Sequence, residues 1–385
     1  MNMKDKAAIV GVGYTPQGRI PGRSAMSFHV EAAKNAIADA GLRRDEVDGL
    51  ICASWPPSSA VGLAPTDIAQ RLGLRIRFGS EATSFGVLGG DAAHLAAWAV
   101  VHGMADYVVC TYGENPHYAA FNPYRQTLGD GQLEGDEAAF GYFGAPSAYA
   151  LAARRGMHEF GTGPETWGEI AVAIRKWANL NPRAVMCKKT LTLDDYMNSR
   201  FVVEPLRLYD ICQVTDSGRA FLVTTAERAR DCKRPPVYIM GMGQDHPGVG
   251  IGQAKYLAGS TGAKKSGKQA FKMAEITLKD IDACEIYDCF TYTVEVTLMD
   301  YGFFEPGEGK DFLKAGRLGP GGDFPINTSG GLLSEVYQQG FTPLTEAVVQ
   351  LRGEAGDRQL DDPKIILVSG NGGTLSSHAT TILRR

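Results

Sequence analysis

The residues best placed to do chemistry lie in one polar, glycine-rich run, Asn327-Thr328-Ser329-Gly330-Gly331, which leads through a short helix-like segment to Tyr337. Paired glycines let a backbone come close to another backbone or to a ligand. An asparagine beside them offers an amide that can hold a carbonyl oxygen. A tight strand-to-helix turn without a ligand would use the same residues. Cys289 is the one thiol in a second such loop, Tyr287-Asp288-Cys289-Phe290-Thr291, as a nucleophile or as a small packed hydrophobe. Asp288 and Glu335 add carboxylates to these loops. Arg183, Lys188 and Lys189 form a basic edge, either a solvated face or a clamp for phosphates. Gly11 and Gly13 follow an apolar run but lack the third glycine of a dinucleotide loop, so nucleotide binding is not expected.

The elements that must position these residues come in two similar sets. The apolar run 7–13 reads as a strand, 24–40 has helical spacing stopped by Gly41, and 47–53 reads as a second strand. A loop at 84–90 then leads into a helix at 91–103 and a strand at 107–110. The second half repeats this order. Residues 237–243 echo the first strand, and 270–291 echo 33–54. Residues 327–331 with a helix at 345–352 echo 86–90 with its helix, and 365–368 echo 107–110. The period is about half the chain, which fits a duplicated α/β unit and not a solenoid. Loops at the carboxyl ends of strands would converge on one site, here 84–90, 287–291, 327–337 and 370–373. The stretch 113–195 breaks the rhythm and reads as an inserted loop or lid with one clear helix at 164–180.

Composition narrows the class. The chain has 385 residues, 44% hydrophobic and 21% charged, with a net charge of −4, so no nucleic-acid or anionic-membrane partner is expected. Seven cysteines occur without a Cys-x-x-Cys pair, which points to a reducing compartment and a cytoplasmic location. The first residues lack a signal peptide's apolar core, and no apolar run is long enough to span a bilayer.

The duplicated halves resemble the thiolase fold. Residues 199–223 and the string Glu285-Ile286-Tyr287-Asp288-Cys289-Phe290-Thr291 resemble the sterol-carrier-protein-type branch of that superfamily. The resemblance implies an α/β thiolase fold, with duplicated α/β halves in a layered αβαβα arrangement and an inserted loop domain. Its halves would span 1–233 and 234–385, with the insertion at about 113–195. Thiolases cleave a 3-oxoacyl-CoA through a cysteine thiolate, helped by a histidine, an asparagine or histidine, and a second cysteine. In this chain the nucleophile's position falls on Gly86, or on Ser84 with a one-residue gap. The Gly-His-Pro histidine falls on Tyr337, the asparagine or histidine on Tyr287, and the C-terminal cysteine on Gly370. Asn327 and the pairs Gly330-Gly331 and Gly372-Gly373 remain.

Two groups of relatives share such departures, and the resemblance therefore implies two activities. The first expectation is a two-component thiolase of the benzoylsuccinyl-CoA type, acting on a bulky 3-oxoacyl-CoA and giving two acyl-CoAs. The alternative is a retro-aldolase of the steroid side-chain type, cleaving a 3-hydroxyacyl-CoA with paired tyrosines. A non-catalytic subunit that binds CoA esters is the third. The resemblance assigns catalysis to Tyr287, Tyr337, Asn327 and Cys289. It assigns coenzyme A, as substrate, to Gly330, Gly331, Gly372, Gly373, Ser217, Arg183 and Lys188. Cys212 would lie near the pantetheine arm, and His117 and His378 would be bystanders. It also implies a homodimeric core with a small zinc-ribbon/OB-fold subunit, and any zinc would sit in that partner.

Overall fold

The computed structural model describes residues 2–53, 64–117, 142, 144–248, 254–259 and 261–385. Part of the expected insertion, 118–141 and 143, lies outside the described residues. The strands are β1 (Ala7–Tyr14), β2 (Gly49–Ala53), β3 (Phe78–Ala82), β4 (Tyr107–Glu114), β5 (Phe201–Val203), β6 (Leu206–Arg207), β7 (Ser217–Thr225), β8 (Val237–Asp245), β9 (Ala283–Glu285), β10 (Ile365–Gly372) and β11 (Ser377–Arg384). The principal helices are α1 (Ala25–Ala40), α2 (Ala64–Leu72), α3 (Leu88–Val101), α4 (Gly144–Phe160), α5 (Pro164–Asn179), α6 (Ala263–Ala274), α7 (Thr291–Tyr301) and α8 (Phe341–Leu351).

Nine strands form one mixed sheet in the order β3-β2-β4-β7-β1-β8-β11-β10-β9. The duplication is visible in that order. The two halves meet where β1 pairs antiparallel with β8. On either side β7 corresponds to β11, β4 to β10 and β2 to β9. Helices α1 and α6 cover the outer faces, α1 on β1, β4 and β7, and α6 on β8 and β11. Helices α3 and α8 touch each other and strands of both halves, which makes them the central layer. The two halves of the sheet thus lie on either side of this helix pair, which gives the layers α, β, α, β, α, and every residue of α8 is buried.

Local chemistry explains these elements. The Ser24 hydroxyl accepts the Ser27 N–H at the start of α1, and Gly41 closes the helix in the left-handed region at φ 76°. The glycines of β1 serve helix packing, because a Cβ at Gly13 would stand 2.1 Å from the Ala32 carbonyl oxygen of α1. Gly243 does the same in the second half, 2.0 Å from the Ser266 carbonyl of α6. A sheet-to-helix approach that tight accounts for the Gly-x-Gly pattern in both halves.

Several boundaries differ from the sequence reading. Helix α3 begins at Leu88, so Gly89 and Gly90 lie in its first turn and not in a loop. A Cβ at Gly89 would lie 2.2 Å from the Gly340 carbonyl oxygen, and that close crossing holds the glycine inside the helix. β4 continues to Glu114 because residues 111–114 pair with 217–220 of β7. Helix α8 starts at Phe341, four residues before the expected start. The polar-looking segment Ser377–Arg384 is an interior strand, paired with both β8 and β10. Helix α4 precedes the one helix expected in the insertion.

Candidate active site

Four loops at the strand ends bring Tyr287 and Tyr337 together, with their hydroxyl oxygens 3.2 Å apart. Tyr287 is buried and follows β9, while Tyr337 is partly buried. Each is held through its backbone. The Asn327 side chain accepts the Ile286 N–H at 2.7 Å and donates to the Ile286 carbonyl at 2.9 Å. Both ends of the Asn327 amide are thus spent fixing the residue before Tyr287, so it works as a clip and not as a free oxyanion donor. Thr215 does the corresponding work for Tyr337. Its hydroxyl accepts the Tyr337 N–H at 3.0 Å and donates to the Tyr337 carbonyl at 3.3 Å.

Asp288 ties the two loops. Its carboxylate accepts the N–H groups of Leu332 at 2.8 Å and Leu333 at 3.2 Å, in a single π-helical turn at Gly331–Glu335. Burial nevertheless pushes its carboxyl up to about 7, against these hydrogen bonds. A Cβ at Gly331 would stand 2.2 Å from the Asp288 carboxylate, and one at Gly330 2.5 Å from Ala178. These glycines admit the protein's own chain. Gly372 likewise faces the Ser84 carbonyl at 2.6 Å, and Gly373 the Ser376 hydroxyl at 2.3 Å, each measured from a built Cβ.

The space for a side chain at residue 86 is already taken. A Cβ on Gly86 would lie 1.9 Å from the Asn371 carbonyl oxygen and 2.3 Å from Cζ of Tyr287. The Tyr287 ring stands where a nucleophile on this loop would need to be. Ser84 is engaged elsewhere, donating to the Asp91 carboxylate. Cys289 is buried, with its sulfur 3.5 Å from the Thr293 hydroxyl, and burial pushes its thiol up to about 12. Burial also raises Cys212 well above the ordinary thiol value. Neither sulfur is a thiolate near neutral pH. Burial, with Tyr337 and Cys289 adding to it, raises the Tyr287 phenol well above its usual value. A phenol so placed is a hydrogen-bond donor.

Other residues singled out in the sequence fall apart from this pair. Arg183 stacks its guanidinium 3.9 Å over the Tyr14 ring, and Lys188 is exposed. Ser217 is buried on β7 opposite Glu114, and its hydroxyl has no partner among the described residues. Glu335 pairs with Arg219 at 2.7 Å with both side chains buried. Although burial raises Glu335, the guanidiniums of Arg219 and Arg183 hold it below the usual carboxylate range. His117 bonds the Val214 carbonyl at 2.8 Å. His378 lies in a separate buried cluster, 2.9 Å from the Tyr301 hydroxyl. A cavity of about 570 Å³ is lined by Phe160, Tyr256, Lys268, Phe271 and Tyr301, among others, and none of its lining residues belongs to the convergent loops.

Sequence reasoning passed over Tyr112, Glu114, Thr215, Gln338 and Asn371. Both polar atoms of the buried Gln338 side chain, and the Asn371 amide nitrogen, lack partners among the described residues. The one available signal was the Tyr112-Gly113-Glu114 end of an otherwise apolar strand.

The fold and the relatives of the chain define a thiolase-like enzyme acting on the C–C bond of a CoA ester. Residues 243–385 match the thiolase C-terminal domain-like family model. The chain is 36% identical to a steroid side-chain-cleaving aldolase of Thermomonospora curvata, covering 95% of each. It is 35% identical to a 17-hydroxy-3-oxo-4-pregnene-20-carboxyl-CoA lyase of Mycobacterium tuberculosis, covering 96% of this chain and 97% of the lyase. Among solved structures it is similar to an Ltp2-ChsH2(DUF35) aldolase, with a TM-score of 0.90, 34% identity, and coverage of 99% and 98%. The chain belongs to the thiolase superfamily, in its sterol-carrier-protein-type thiolase-like branch, alongside the steroid side-chain aldolases. The benzoylsuccinyl-CoA thiolase subunit BbsB of Thauera aromatica is 26% identical over 74% of each chain. The aldolase alternative is therefore better supported than the thiolase expectation placed first.

Proposed function

We propose that this chain is the catalytic subunit of a retro-aldolase that cleaves a 3-hydroxyacyl-CoA carrying a bulky, steroid-like side chain. The observation that carries the reading is the Tyr287 ring in the space of residue 86, with its hydroxyl 3.2 Å from Tyr337. Thiolysis through an acyl-enzyme needs a thiolate. Retro-aldol cleavage needs only a base for the hydroxyl proton and donors for the developing enolate. Tyr287, protonated at neutral pH, is suited to donate to the thioester oxygen as charge builds there. Tyr337 is suited to meet the substrate hydroxyl. The unpartnered Gln338 amide and the Asn371 amide nitrogen are suited to the polar arm of coenzyme A, ahead of Arg183 and Lys188.

The substrate class follows the lyase of M. tuberculosis, whose name describes a 17-hydroxy group β to a thioester. Cleavage of such a compound gives a 17-ketone and a three-carbon acyl-CoA. By likeness to the Ltp2-ChsH2(DUF35) aldolase, this chain takes a DUF35-type partner, and the family resemblance adds a dimeric core and a small size for that partner. Any zinc would sit in that partner, as the family resemblance implies. The test is product analysis of the co-expressed complex. Ketone release from the 3-hydroxyacyl-CoA without consumption of free CoA supports the reading. Formation of two acyl-CoAs from a 3-oxoacyl-CoA and free CoA, and no ketone from the hydroxy ester, rejects it.

A further inference from the structure

Outside the convergent loops, the cavity beside α6 has the make-up of a ligand site. Its volume of about 570 Å³ falls within the roughly 300–1,000 Å³ of small-molecule sites. Helix α6 supplies Lys264, Gly267, Lys268 and Phe271, which share one helical face by their spacing. Met299 and Tyr301 at the end of α7 form another wall, joined by Phe160, the last residue of α4. Position 267 has no side chain because the Tyr301 ring lies against it, and a Cβ there would stand 2.8 Å from two ring carbons. The Tyr301 hydroxyl is spent on buried partners, 2.9 Å from Nε2 of His378 and 2.7 Å from the Thr380 hydroxyl. Its ring is therefore what Tyr301 offers the cavity. A turn closed by the Gly259 N–H on the Tyr256 carbonyl at 3.2 Å adds a further wall. In that turn the Tyr256 and Leu257 side chains are left 45% and 38% exposed.

The charges around this cavity are unevenly committed. Helix α6 carries four lysines and no acidic residue. Lys265 pairs with Asp245 at 3.7 Å, whereas Lys264 and Lys268, both exposed, have no ion pair among the described residues. Of the acids, Asp300 is spent on the Thr261 N–H at 2.6 Å and the Thr261 hydroxyl at 3.1 Å. Glu159, next to the lining residue Phe160, accepts from the Tyr256 hydroxyl and pairs with Arg155. Glu305 is the remaining lining carboxylate, and it is exposed to solvent. Two ammonium groups one helical turn apart thus stand without a carboxylate partner beside the rings of Phe160, Tyr256, Phe271 and Tyr301.

We propose that this cavity is a second, non-catalytic binding site for an organic carboxylate with an apolar ring body, its carboxylate held by Lys264 and Lys268 and its rings laid against Phe160, Phe271 and Tyr301. The inference is independent of the retro-aldolase reading. Burial of ring surface against these side chains supplies the affinity, and offset or edge-on ring contacts orient the body. A lysine ammonium is a compact charge on a flexible stem, so the pair selects the sign of the head group more than its shape. A rigid ring body suits such a space better than a flexible chain, because it loses less conformational freedom on binding.

The test is calorimetric titration of the full chain with cholate, a ring-bearing carboxylate, with its uncharged methyl ester, and with laurate, a chain carboxylate. Saturable cholate binding is expected below the concentration at which cholate forms micelles. The double variant Lys264→Glu with Lys268→Glu weakens it by roughly tenfold or more, and the ester and laurate bind roughly tenfold more weakly than cholate. Lys272→Glu makes the same charge change on the same helix but outside the cavity lining, and it leaves cholate binding unchanged. Met299→Trp fills the space and abolishes binding. Should that variant fail to fold, the lysine variants still decide, since those side chains are exposed. Cholate binding untouched by the double lysine change overturns the proposal and puts the ligand elsewhere on the chain. An equal loss in Lys272→Glu, equal binding of the ester, laurate binding as tight as that of cholate, or no saturable binding overturns it as well. Ketone release is read separately, so its absence bears on the retro-aldolase reading alone.

Discussion

At the scale of the residue, the proposed chemistry turns on two phenols and one missing side chain. The hydrogen bond between Tyr287 and Tyr337 at 3.2 Å makes them one unit, so removing either hydroxyl should cost about as much as removing both. Tyr287→Phe and Tyr337→Phe are each expected to lower kcat by roughly 10²–10⁴, with folding intact by circular dichroism. Cys289→Ala is expected to leave the rate near that of wild type, because a thiol held at about 12 supplies no nucleophile. An acyl adduct on Cys289 in an intact-mass measurement would contradict this. Gly86→Cys is expected to lose aldolase activity without gaining thiolysis. Its Cβ meets the Asn371 carbonyl at 1.9 Å and the Tyr287 ring at 2.3 Å, and overpacking of this kind destabilises by about 1–3 kcal/mol.

At the scale of the element, the site is built from loops that lock onto one another and not onto solvent. The turn after Gly330 is capped by Asp288 from the neighbouring loop, and its last residue, Glu335, is anchored by Arg219 of β7. Breaking that buried pair on one side leaves an uncompensated charge. Arg219→Met should therefore destabilise the fold by about 3–5 kcal/mol in chemical denaturation, and the double variant Arg219→Met with Glu335→Leu should recover most of the loss. A double variant no more stable than the single one would show that the charges are needed for some other reason. The same elements explain why the glycine pairs look like ligand cradles in the sequence. They carry no side chain because Asp288, Ala178, Ser84 and Ser376 come within about 3 Å of where one would begin.

At the scale of the whole molecule, burial sets the response to pH. His378 is enclosed between α7 and β10, and burial lowers its imidazole to about 3. A base whose folded pKa lies below its unfolded value of about 6.5 binds fewer protons when folded. Its contribution to stability is present above pH 6.5 and is lost as pH falls toward 3. Glu114 and Asp288, raised to about 7, act in the opposite sense and weaken the fold as pH rises toward that value. The stability advantage of wild type over His378→Gln should accordingly shrink by up to about 1.4 kcal/mol for each pH unit below 6.5. Denaturant midpoints measured at pH 7, 6 and 5 would check the sign.

The sequence by itself determined the duplicated α/β architecture, the glycine stop of α1, the four loops that converge, and the tyrosines in two of them. Hydrophobic period, turn residues and motif spacing are local properties, and they survive being read along a line. Tertiary structure alone decided what those loops contain. Asn327, a free amide in the sequence, is consumed by Ile286. The glycines at 330 and 331 make room for Ala178 and Asp288, 152 and 43 positions back along the chain. Glu114 comes to lie opposite Ser217, two residues from the Thr215 clamp, only because β4 pairs with β7. Burial, close approach and shared hydrogen bonds depend on which distant segments meet, and no single stretch of chain carries that information.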